Sequence, residues 1–523
     1  MKKIVEPRDS RKFIEEPHVR LQQFVSSTST VIRLVCVKNC FCTIVSKKAI
    51  VQILGSTEVF DTLFWHAVQM KGREGTMNFV EEYSRKLASA DEAVKCVKSG
   101  DHVLYGEFVM NSQLLDAALA RRKEELFDVR VRTTTCPFIP QVVLSDPEQE
   151  HFIYSDVHFS AASRKLHDKA LCYYVPLTYH EMPSWYTCVG IPIDVAMFMV
   201  GPMDKNGFFN IGVSNSITPY IARKAKIVIA EVNNSIPRCL GGNLETLHIS
   251  QIDYLVEGDH RPLIQLPEIT PNEIDRKVAE IIVNEIPDGG CLQLGIGAMP
   301  NAIGAMIASS DLRDLGVHTE MLVDSYVDMY EAGRITGKRK QLDKEKMVYT
   351  FAMGSNKLYD FLDDNPVCAS FPVDYTNNPY VIGQNDNVVA INNAIEIDLY
   401  GQVCSESSGT RHITGTGGQL DFIFGAHKSK GGKGFICLSS TINGPDGNPV
   451  SRIVPTLPLG SAVTVPRGIT SYVVTEYGMV NLKGKSTYER AEALISIAHP
   501  QFRDELIKKA TEMKIWCRSN RIV

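Results

Sequence analysis

The chain contains 523 residues, of which 44% are hydrophobic and 22% are charged, and its formal net charge is −5. These proportions are typical of globular domains and exclude a disordered, collagen-like or coiled-coil chain. The small negative charge gives no footprint for nucleic acid or for an anionic membrane surface, so we expect neither as a partner.

Thirteen cysteines are spread along the chain without a CxxC pair. Disulfide frameworks and zinc sites use closely spaced cysteines, so we interpret these residues as reduced thiols of a cytoplasmic protein. The sequence therefore predicts no metal site.

The first 76 residues differ from the rest in charge and pattern. They carry 12 Lys and Arg against 7 Asp and Glu, whereas the remaining residues carry 43 against 53. Their apolar run VIRLVCVKNCFCTIV is interrupted by charges and is too short to cross a membrane. We expect residues 1–76 to be an N-terminal extension and the functional protein to begin at Met77.

From Met77 onward, strand and helix patterns alternate. The runs HVLYGEF, VRVRTTT, DVAMFMVG and KIVIAEV predict strands buried on both faces of a largely parallel sheet. The proline-rich segment 260–273 predicts a domain boundary, followed by a helix with Thr270 as N-cap, Pro271 at its first position and Glu273 at its third.

The alternation then resumes. CLQLGIG, VHTEMLV, VVAINNAIEIDLYGQV, GFICLSS and SYVVTEYGMVNL are strand-like, MPNAIGAMIASS predicts a helix, and a closing helix begins at Ser486. The fold class is therefore α/β, with two tandem open α/β domains over residues 77–262 and 263–523.

Two glycine-rich segments are candidates for ligand contact. In CLQLGIGAMPNAIG, residues 291–304, a strand meets a glycine turn and then a helix whose free N–H groups suit an anion. In GTGGQLDFIFGA, residues 415–426, the amides of Gly417 and Gly418 suit an oxyanion. An ordinary tight turn explains either segment equally well.

Glu320 is a candidate nucleophile or base, because it lies in a strand-like segment beyond a glycine loop. Spacing alone does not separate it from Glu396, Glu406 and Glu476, and a salt-bridged strand glutamate is the commoner explanation. A group of basic residues could meet phosphates, although a solvated surface explains each one singly: Lys430, Lys433, Arg467, Lys483 and Lys485.

Taken together, several segments resemble the acetyl-CoA hydrolase/transferase family. They are GIGAMPNAIG, GVHTEM, NNAIEIDLYGQVCSES, GTGGQLDF and VVTEYGMVNLKGKSTYERA, and they occur in the family's order between Met77 and the C-terminus. Within the family, the sequence is most similar to the butyryl-CoA:acetate and 4-hydroxybutyrate CoA-transferases.

The resemblance implies two tandem open α/β domains of the CoA-transferase type. It selects Glu320 as the catalytic residue, because the family's catalytic glutamate lies in the HTEM-like motif. It also implies a CoA site formed by Gly295, Ile296, Gly297, Ala298 and Met299, with further contacts near Ile395 and Gly418.

The implied reaction moves CoA from a short-chain acyl-CoA, with butyryl-CoA favoured, to acetate through a glutamyl-CoA thioester. CoA would then be a substrate and part of a covalent intermediate, with no permanently bound cofactor, and relatives are commonly homo-oligomers. Four alternatives stay open: a 4-hydroxybutyrate CoA-transferase, an acyl-CoA hydrolase using the same site, a sugar-phosphate isomerase without a CoA site, and a non-catalytic acyl-CoA sensor.

Overall fold

A computed structural model describes residues 78–516, apart from Glu268. The expectations for residues 1–76 and for a start at Met77 therefore lie outside the described residues. From Phe79 onward, the described residues form one compact unit. Two large sheets, one after the other along the chain, organise this unit.

The first sheet has seven parallel strands among the described residues, in the order β4-β3-β2-β1-β5-β7-β9. The strands of this half are β1 (His102–Glu107), β2 (Val129–Thr134), β3 (Phe152–Asp156), β4 (Tyr173–Tyr174), β5 (Val195–Val200), β6 (Phe208–Asn210), β7 (Ile227–Val232), β8 (Thr246–His248) and β9 (Tyr254–Glu257). All six residues of β5 are buried, which confirms the prediction of a strand covered on both faces. The short strands β6 and β8 pair separately.

Seven helices accompany this sheet in the described part of the chain. They are α1 (Phe79–Lys86), α2 (Ala90–Ala93), α3 (Gln113–Ala120), α4 (Gln141–Ser145), α5 (Ala161–His167), α6 (Met182–Ser184) and α7 (Thr218–Lys224).

The second sheet has eight strands in the order β15-β13-β11-β10-β16-β21-β25-β26, within the described residues, and only the β25–β26 pair is antiparallel. Its strands are β10 (Cys291–Leu294), β11 (Gly316–His318), β13 (Met347–Tyr349), β15 (Cys368–Ser370), β16 (Val388–Asn393), β21 (Lys433–Cys437), β25 (Tyr472–Thr475) and β26 (Gly478–Asn481). Counted along the chain within each sheet, the first seven strands have the same order, 4-3-2-1-5-6-7, in both sheets.

The second half also contains three two-stranded sheets and one three-stranded sheet among the described residues. Their strands are β12 (Met321–Leu322), β14 (Phe351–Ala352), β17 (Glu396–Asp398), β18 (Val403–Cys404), β19 (Ser407–Ser408), β20 (Arg411–His412), β22 (Thr441–Asn443), β23 (Pro449–Ser451) and β24 (Ile453–Val454). The helices are α8 (Glu273–Val283), α9 (Ala298–Ser309), α10 (Asp324–Glu331), α11 (Asn356–Leu362), α12 (Val373–Thr376), α13 (Pro379–Ile382), α14 (Gln419–Lys428), α15 (Thr487–Ser496) and α16 (Pro500–Glu512).

Two strands predicted as continuous are interrupted, and a third, SYVVTEYGMVNL, folds back as the antiparallel pair β25 and β26. VVAINNAIEIDLYGQV divides into β16, β17 and β18, because the chain turns back through Gly401, whose φ of +85° favours glycine. VHTEMLV divides into β11 in the large sheet and β12, which pairs with β14. The second break leaves Thr319 and Glu320 between the two strands.

The predicted start of helix α8 is also wrong by two residues. The N-cap is Asn272, whose side chain accepts from Asp275 N, and Asp275 in turn accepts from the Asn272 backbone N–H. This reciprocal pair satisfies two helix-end donors, so it determines where the helix begins.

The two halves share a core. The largest cluster of buried apolar side chains takes Leu104 and Phe198 from the first sheet and Leu292 and Val317 from the second. Phe108 stacks on Phe351 with ring centroids 3.6 Å apart and planes at 10°. The predicted boundary near residue 262 stays a prediction, because each half also has a core cluster of its own beside the shared one.

We expect Asn272→Ala to lower the free energy of unfolding by about 1 kcal/mol, because it removes a helix-capping acceptor. Thr270→Ala is the control, since Thr270 is exposed and is not the cap. Urea unfolding of the two variants beside the parent chain measures both changes. A larger loss from Thr270→Ala would contradict the observed cap.

Candidate active site

The candidate site lies where the carboxyl ends of strands from both sheets face each other. In the second sheet, β10 lies between β11 and β16, and strands connect outward in opposite directions on its two sides. Such a switch in strand order leaves a crevice at the carboxyl edge of an α/β sheet, which is the usual place for a ligand.

A cavity of about 190 Å³ occupies this position. From the first half it is lined by residues at or just beyond the ends of β1, β2 and β3, including Phe108, Thr134 and His158. From the second half it is lined by residues that include Gly295, Ile296, Glu320, Asn392 and Gly417. The cavity is smaller than the roughly 300–1,000 Å³ of sites that hold drug-sized ligands, so it suits a small group.

The backbone of Glu320 is fixed by the strand break. Its carbonyl oxygen accepts from Thr350 N at 3.0 Å and from Phe351 N at 3.2 Å. Two residues earlier, His318 lies fully buried with Nε2 2.8 Å from the Thr376 carbonyl oxygen. Burial lowers the pKa of His318 to about 3, so its ring is neutral and can donate this bond from Nε2.

Two N–H donors hold the Glu320 carboxylate. Asn377 Nδ2 lies 2.5 Å from Glu320 Oε2, and the Gly418 backbone N–H bonds the same carboxylate. Gly418 is the N-cap of α14, so the carboxylate also sits at the positive end of a helix. Both donors stabilise the ionised form.

Burial acts in the opposite direction and is the larger effect. It raises the pKa of Glu320 to about 7, and the nearby negative charge of Asp421 adds to the rise. The carboxylate therefore changes charge near neutral pH.

The structure brings together only part of the CoA site implied by the resemblance. Gly295 and Ile296 line the cavity, and Gly418 touches Glu320. Gly297 is the N-cap of α9, with φ of +120°, and Ala298 and Met299 form its first turn, where Met299 is buried in the core. These last three residues belong to the same loop but do not line the cavity.

Ile395 also lies away from the cavity lining. Its backbone N–H bonds Cys404 O at 2.9 Å, and its carbonyl accepts from Arg452 Nε at 2.6 Å. Asn392, three residues earlier, does line the cavity, and its Nδ2 donates to Gln293 Oε1 at 2.9 Å. The role of Ile395 stays a prediction.

Glu320 alone of the four candidate glutamates lines the cavity in the described residues. Glu396 accepts from Ser461, Glu406 accepts from Tyr174, and both glutamates sit outside the cavity lining. The Glu476 carboxylate accepts hydrogen bonds from the backbone N–H and the hydroxyl of Ser440. Each of these three glutamates therefore accepts a hydrogen bond away from the cavity.

The basic residues considered for phosphate are in part already engaged. Lys433 forms an ion pair with Glu285 at 2.7 Å, and Lys483 Nζ donates to Gly468 O. Arg467 lies over the Tyr400 ring.

Within the described residues, no three His, Cys, Asp or Glu side chains are grouped so that they could hold a metal ion. None of the helices between residues 78 and 516 is long and apolar enough to cross a membrane.

Three polar residues around Glu320 were missed from the sequence: Asn377, Asp421 and His180. Asn377 follows a short helix, α12, and carries no motif of its own. Asp421 lies in the segment GTGGQLDF and His180 in a separate half, so only the folded chain joins them, at 2.7 Å. Of the three, only Asp421 could have been suspected from the sequence, because it lies just after the glycine-rich segment at the start of α14.

Comparisons with known proteins identify the family. The model of the acetyl-CoA hydrolase/transferase N-terminal domain matches residues 71–267, and that of the C-terminal domain matches residues 354–510. Together they confirm the resemblance inferred from the sequence motifs.

Full-length relatives agree. A butyryl-CoA:acetate CoA-transferase of Anaerostipes caccae is 50% identical over 85% of this chain and 100% of its own length. A 4-hydroxybutyrate coenzyme A transferase of Clostridium kluyveri is 40% identical over 83% of this chain and 99% of its own. The crystal structure of RipA from Yersinia pestis superposes with a TM-score of 0.76 at 39% identity, over 84% of this chain and all of that one. The chain therefore belongs to the acetyl-CoA hydrolase/transferase family.

Proposed function

We propose that this protein is a CoA-transferase that moves CoA from a short-chain acyl-CoA, with butyryl-CoA favoured, to acetate. The observation that carries the proposal is the Glu320 carboxylate, which faces a small cavity and is held by the Asn377 amide and the Gly418 N–H. The names of the relatives at 50% and 40% identity support the same reaction class.

The first half-reaction begins at Glu320. A carboxylate oxygen attacks the thioester carbonyl, the C–S bond breaks, and an acyl-glutamyl anhydride and CoA thiolate result. The thiolate then attacks the glutamyl carbonyl, the anhydride C–O bond breaks, and the first carboxylate leaves. Glu320 is now a thioester of CoA.

The second half-reaction reverses these steps with acetate, which leaves as acetyl-CoA. Charge passes between carboxylate and thiolate, and no net proton is consumed. An anhydride keeps the acyl group activated, whereas the ester formed by a serine nucleophile would lose that energy. We expect the donors that hold Glu320 to stabilise the oxyanion that forms at its carbonyl when the thiolate attacks, where one lost donor costs about 3 kcal/mol of barrier.

CoA serves here as a substrate and as part of the covalent intermediate, and no permanent cofactor belongs to the proposal. A homo-oligomer and a cytoplasmic location, both expected from the sequence, are further parts of it.

An acyl-CoA hydrolase is the second candidate, since the same carboxylate could pass its intermediate to water. Dependence of the reaction on acetate separates the two.

We expect butyryl-CoA, supplied without an acceptor, to leave CoA attached through a thioester to Glu320. Mass spectrometry of the peptide containing VHTEMLV should find the CoA-sized increment, and borohydride should inactivate the enzyme only after exposure to butyryl-CoA. Acetate should discharge the adduct as acetyl-CoA, with ping-pong kinetics. Glu320→Gln should form no adduct. An adduct on Glu396, Glu406 or Glu476 would overturn the assignment, and discharge by water alone would favour the hydrolase.

We expect Gly418→Ala to abolish exchange while the protein remains folded. A Cβ at this position would lie 1.7 Å from Glu320 Oε2 and 2.4 Å from Asn377 Nδ2, so the carboxylate would be displaced. Gly468→Ala is the matched control, because Gly468 is exposed and its Cβ would meet nothing within 4 Å. CoA-exchange rates and circular dichroism measure the two outcomes. Normal exchange in Gly418→Ala would place the nucleophile elsewhere.

We expect Glu320→Gln to stabilise the protein above pH 7. The folded-state pKa of about 7 exceeds the usual 4.5, so the folded chain loses stability as pH rises between these values. The substitution should raise the free energy of unfolding by at most about 3 kcal/mol at pH 8 and by little below pH 4.5. Glu505→Gln, on the exposed face of α16, should change it by less than about 0.5 kcal/mol. A pH-independent effect of Glu320→Gln would contradict the raised pKa.

A further inference from the structure

Three polar side chains continue the contacts of Glu320 into the protein: Asn377, which holds its carboxylate, and then Asp421 and His180, which take no part in the reaction scheme. Asn377 follows α12 and is fully buried. Asp421 lies in the first turn of α14 and is 1% exposed. His180 belongs to a short helical turn, Tyr179–Glu181, of the first half. The series runs from Glu320 to Asn377, then to Asp421 and His180.

The Asn377 amide serves two carboxylates at once. Its Nδ2 donates to Glu320 Oε2 at 2.5 Å, and the same side chain lies close enough to Asp421 to lower the pKa of that carboxyl, against the rise that burial causes. An ionised carboxylate only accepts, so the amide faces Asp421, as it faces Glu320, through an N–H group on Nδ2. Asn377 Oδ1 is buried without a partner among the described residues, as this arrangement requires. If the amide turned over, Oδ1 would face both carboxylates.

Asp421 is itself held from the opposite half. His180 Nδ1 lies 2.7 Å from Asp421 Oδ1, and the His180 backbone N–H donates to Asp421 Oδ2 at 3.2 Å. The contact with Asp421 raises the pKa of His180, although burial opposes the rise. The His180 ring therefore donates to Asp421 and leaves Asp421 able to accept from Asn377.

We propose that Asp421, anchored by His180, is a positioning residue that keeps the Asn377 N–H directed at the nucleophile. The inference rests on the proposed function of Glu320 as nucleophile. Asp421 does not line the cavity, so it acts through Asn377. The negative charge of Asp421 raises the pKa of Glu320. The hydrogen bond from the oriented Asn377 amide lowers that pKa and so opposes this effect.

The other titratable groups around this series are accounted for. The Tyr179 hydroxyl lies near Glu320, but burial raises its pKa far above neutrality, and it bonds Ser216. Burial lowers the pKa of His158 in the cavity wall to about 4, so it is neutral near pH 7. Glu181 and Asp374 lie near His180 and add to its raised pKa.

The first test is a double-mutant cycle on kcat for CoA exchange at pH 8. Asp421→Leu keeps the side-chain shape but accepts no hydrogen bond, and it should lower kcat by on the order of 10–100-fold. Asn377→Ala should lower kcat by on the order of 100-fold. The double variant should resemble Asn377→Ala alone, because Asp421 then has no amide to orient. Losses that multiply would overturn the proposal.

Conservative and matched variants separate orientation from general damage. Asp421→Asn keeps one acceptor oxygen and should recover part of the lost kcat, with KM for butyryl-CoA within about three-fold of the parent. Asp374→Asn removes the same charge near His180 from α12, where Asp374 bonds Tyr220, and should leave kcat within about two-fold. An equal loss in Asp374→Asn would show a through-space charge effect and contradict the proposal.

The second test does not depend on activity. The stabilising effect of Glu320→Gln reports the pKa of Glu320 through the pH at which the effect appears. In the presence of Asn377, Asp421→Leu removes a charge but also frees the amide, so this pH should not fall. In the Asn377→Ala background only the charge is removed, and the pH should fall. An equal fall in both backgrounds would overturn the proposal.

The two tests also separate this inference from the proposed function. If the parent chain exchanges no CoA while the second test succeeds, the amide is positioned and the proposed reaction is wrong. If exchange occurs but both tests fail, Asp421 is a structural residue. His180→Asn, which keeps a donor to Asp421, should retain most of the kcat even if Asp421→Leu fails to fold, and His180→Ala should not.

Discussion

The constraint that organises this molecule is the cost of enclosing one carboxylate, Glu320, in protein. An unpaired buried charge is expensive, and a protein ordinarily neutralises it. Here two N–H donors and a helix N-terminus recover part of the cost, and burial still raises the pKa to about 7. The carboxylate is thus neither fully neutralised nor fully stabilised, and carboxylates with a pKa shifted in this way cluster at functional sites.

No single half of the chain can provide that environment. Glu320, Asn377 and Gly418 come from the second half, whereas His180 and the Phe108 wall of the cavity come from the first. Contacts between the halves hold the parts in register. The Tyr174 hydroxyl donates to Glu406 and accepts from Thr416 N, and Arg411 pairs with Asp168. The shared core and the shared site therefore depend on the same docking of two similar sheets.

The sequence predicted the features that are local or that repeat. Apolar runs such as VAMFMV reveal buried parallel strands, and the HTEM motif indicates Glu320 through its resemblance to a family. It did not reveal the break after His318, because VHTEMLV has a continuous strand pattern and only pairing with β14 divides it. Nor did it reveal Asn377 or His180, whose partners are 57 and 241 residues away along the chain. Such contacts are set by tertiary packing, which no local pattern records.

The two adjacent glycines of the GTGG segment meet different structural requirements, which the sequence motif alone does not distinguish. A glycine cluster indicates either a backbone conformation that disfavours side chains or a close approach of another group. Gly417 meets the first condition, with φ of +52°. Gly418 meets the second, since its φ of −92° is open to any residue and only the Glu320 and Asn377 side chains exclude a Cβ. One glycine thus bends the loop, and the next lets the helix N-terminus reach the carboxylate. The hydrogen bonding of the Glu320 carboxylate and the composition of this loop are two consequences of the same short distance.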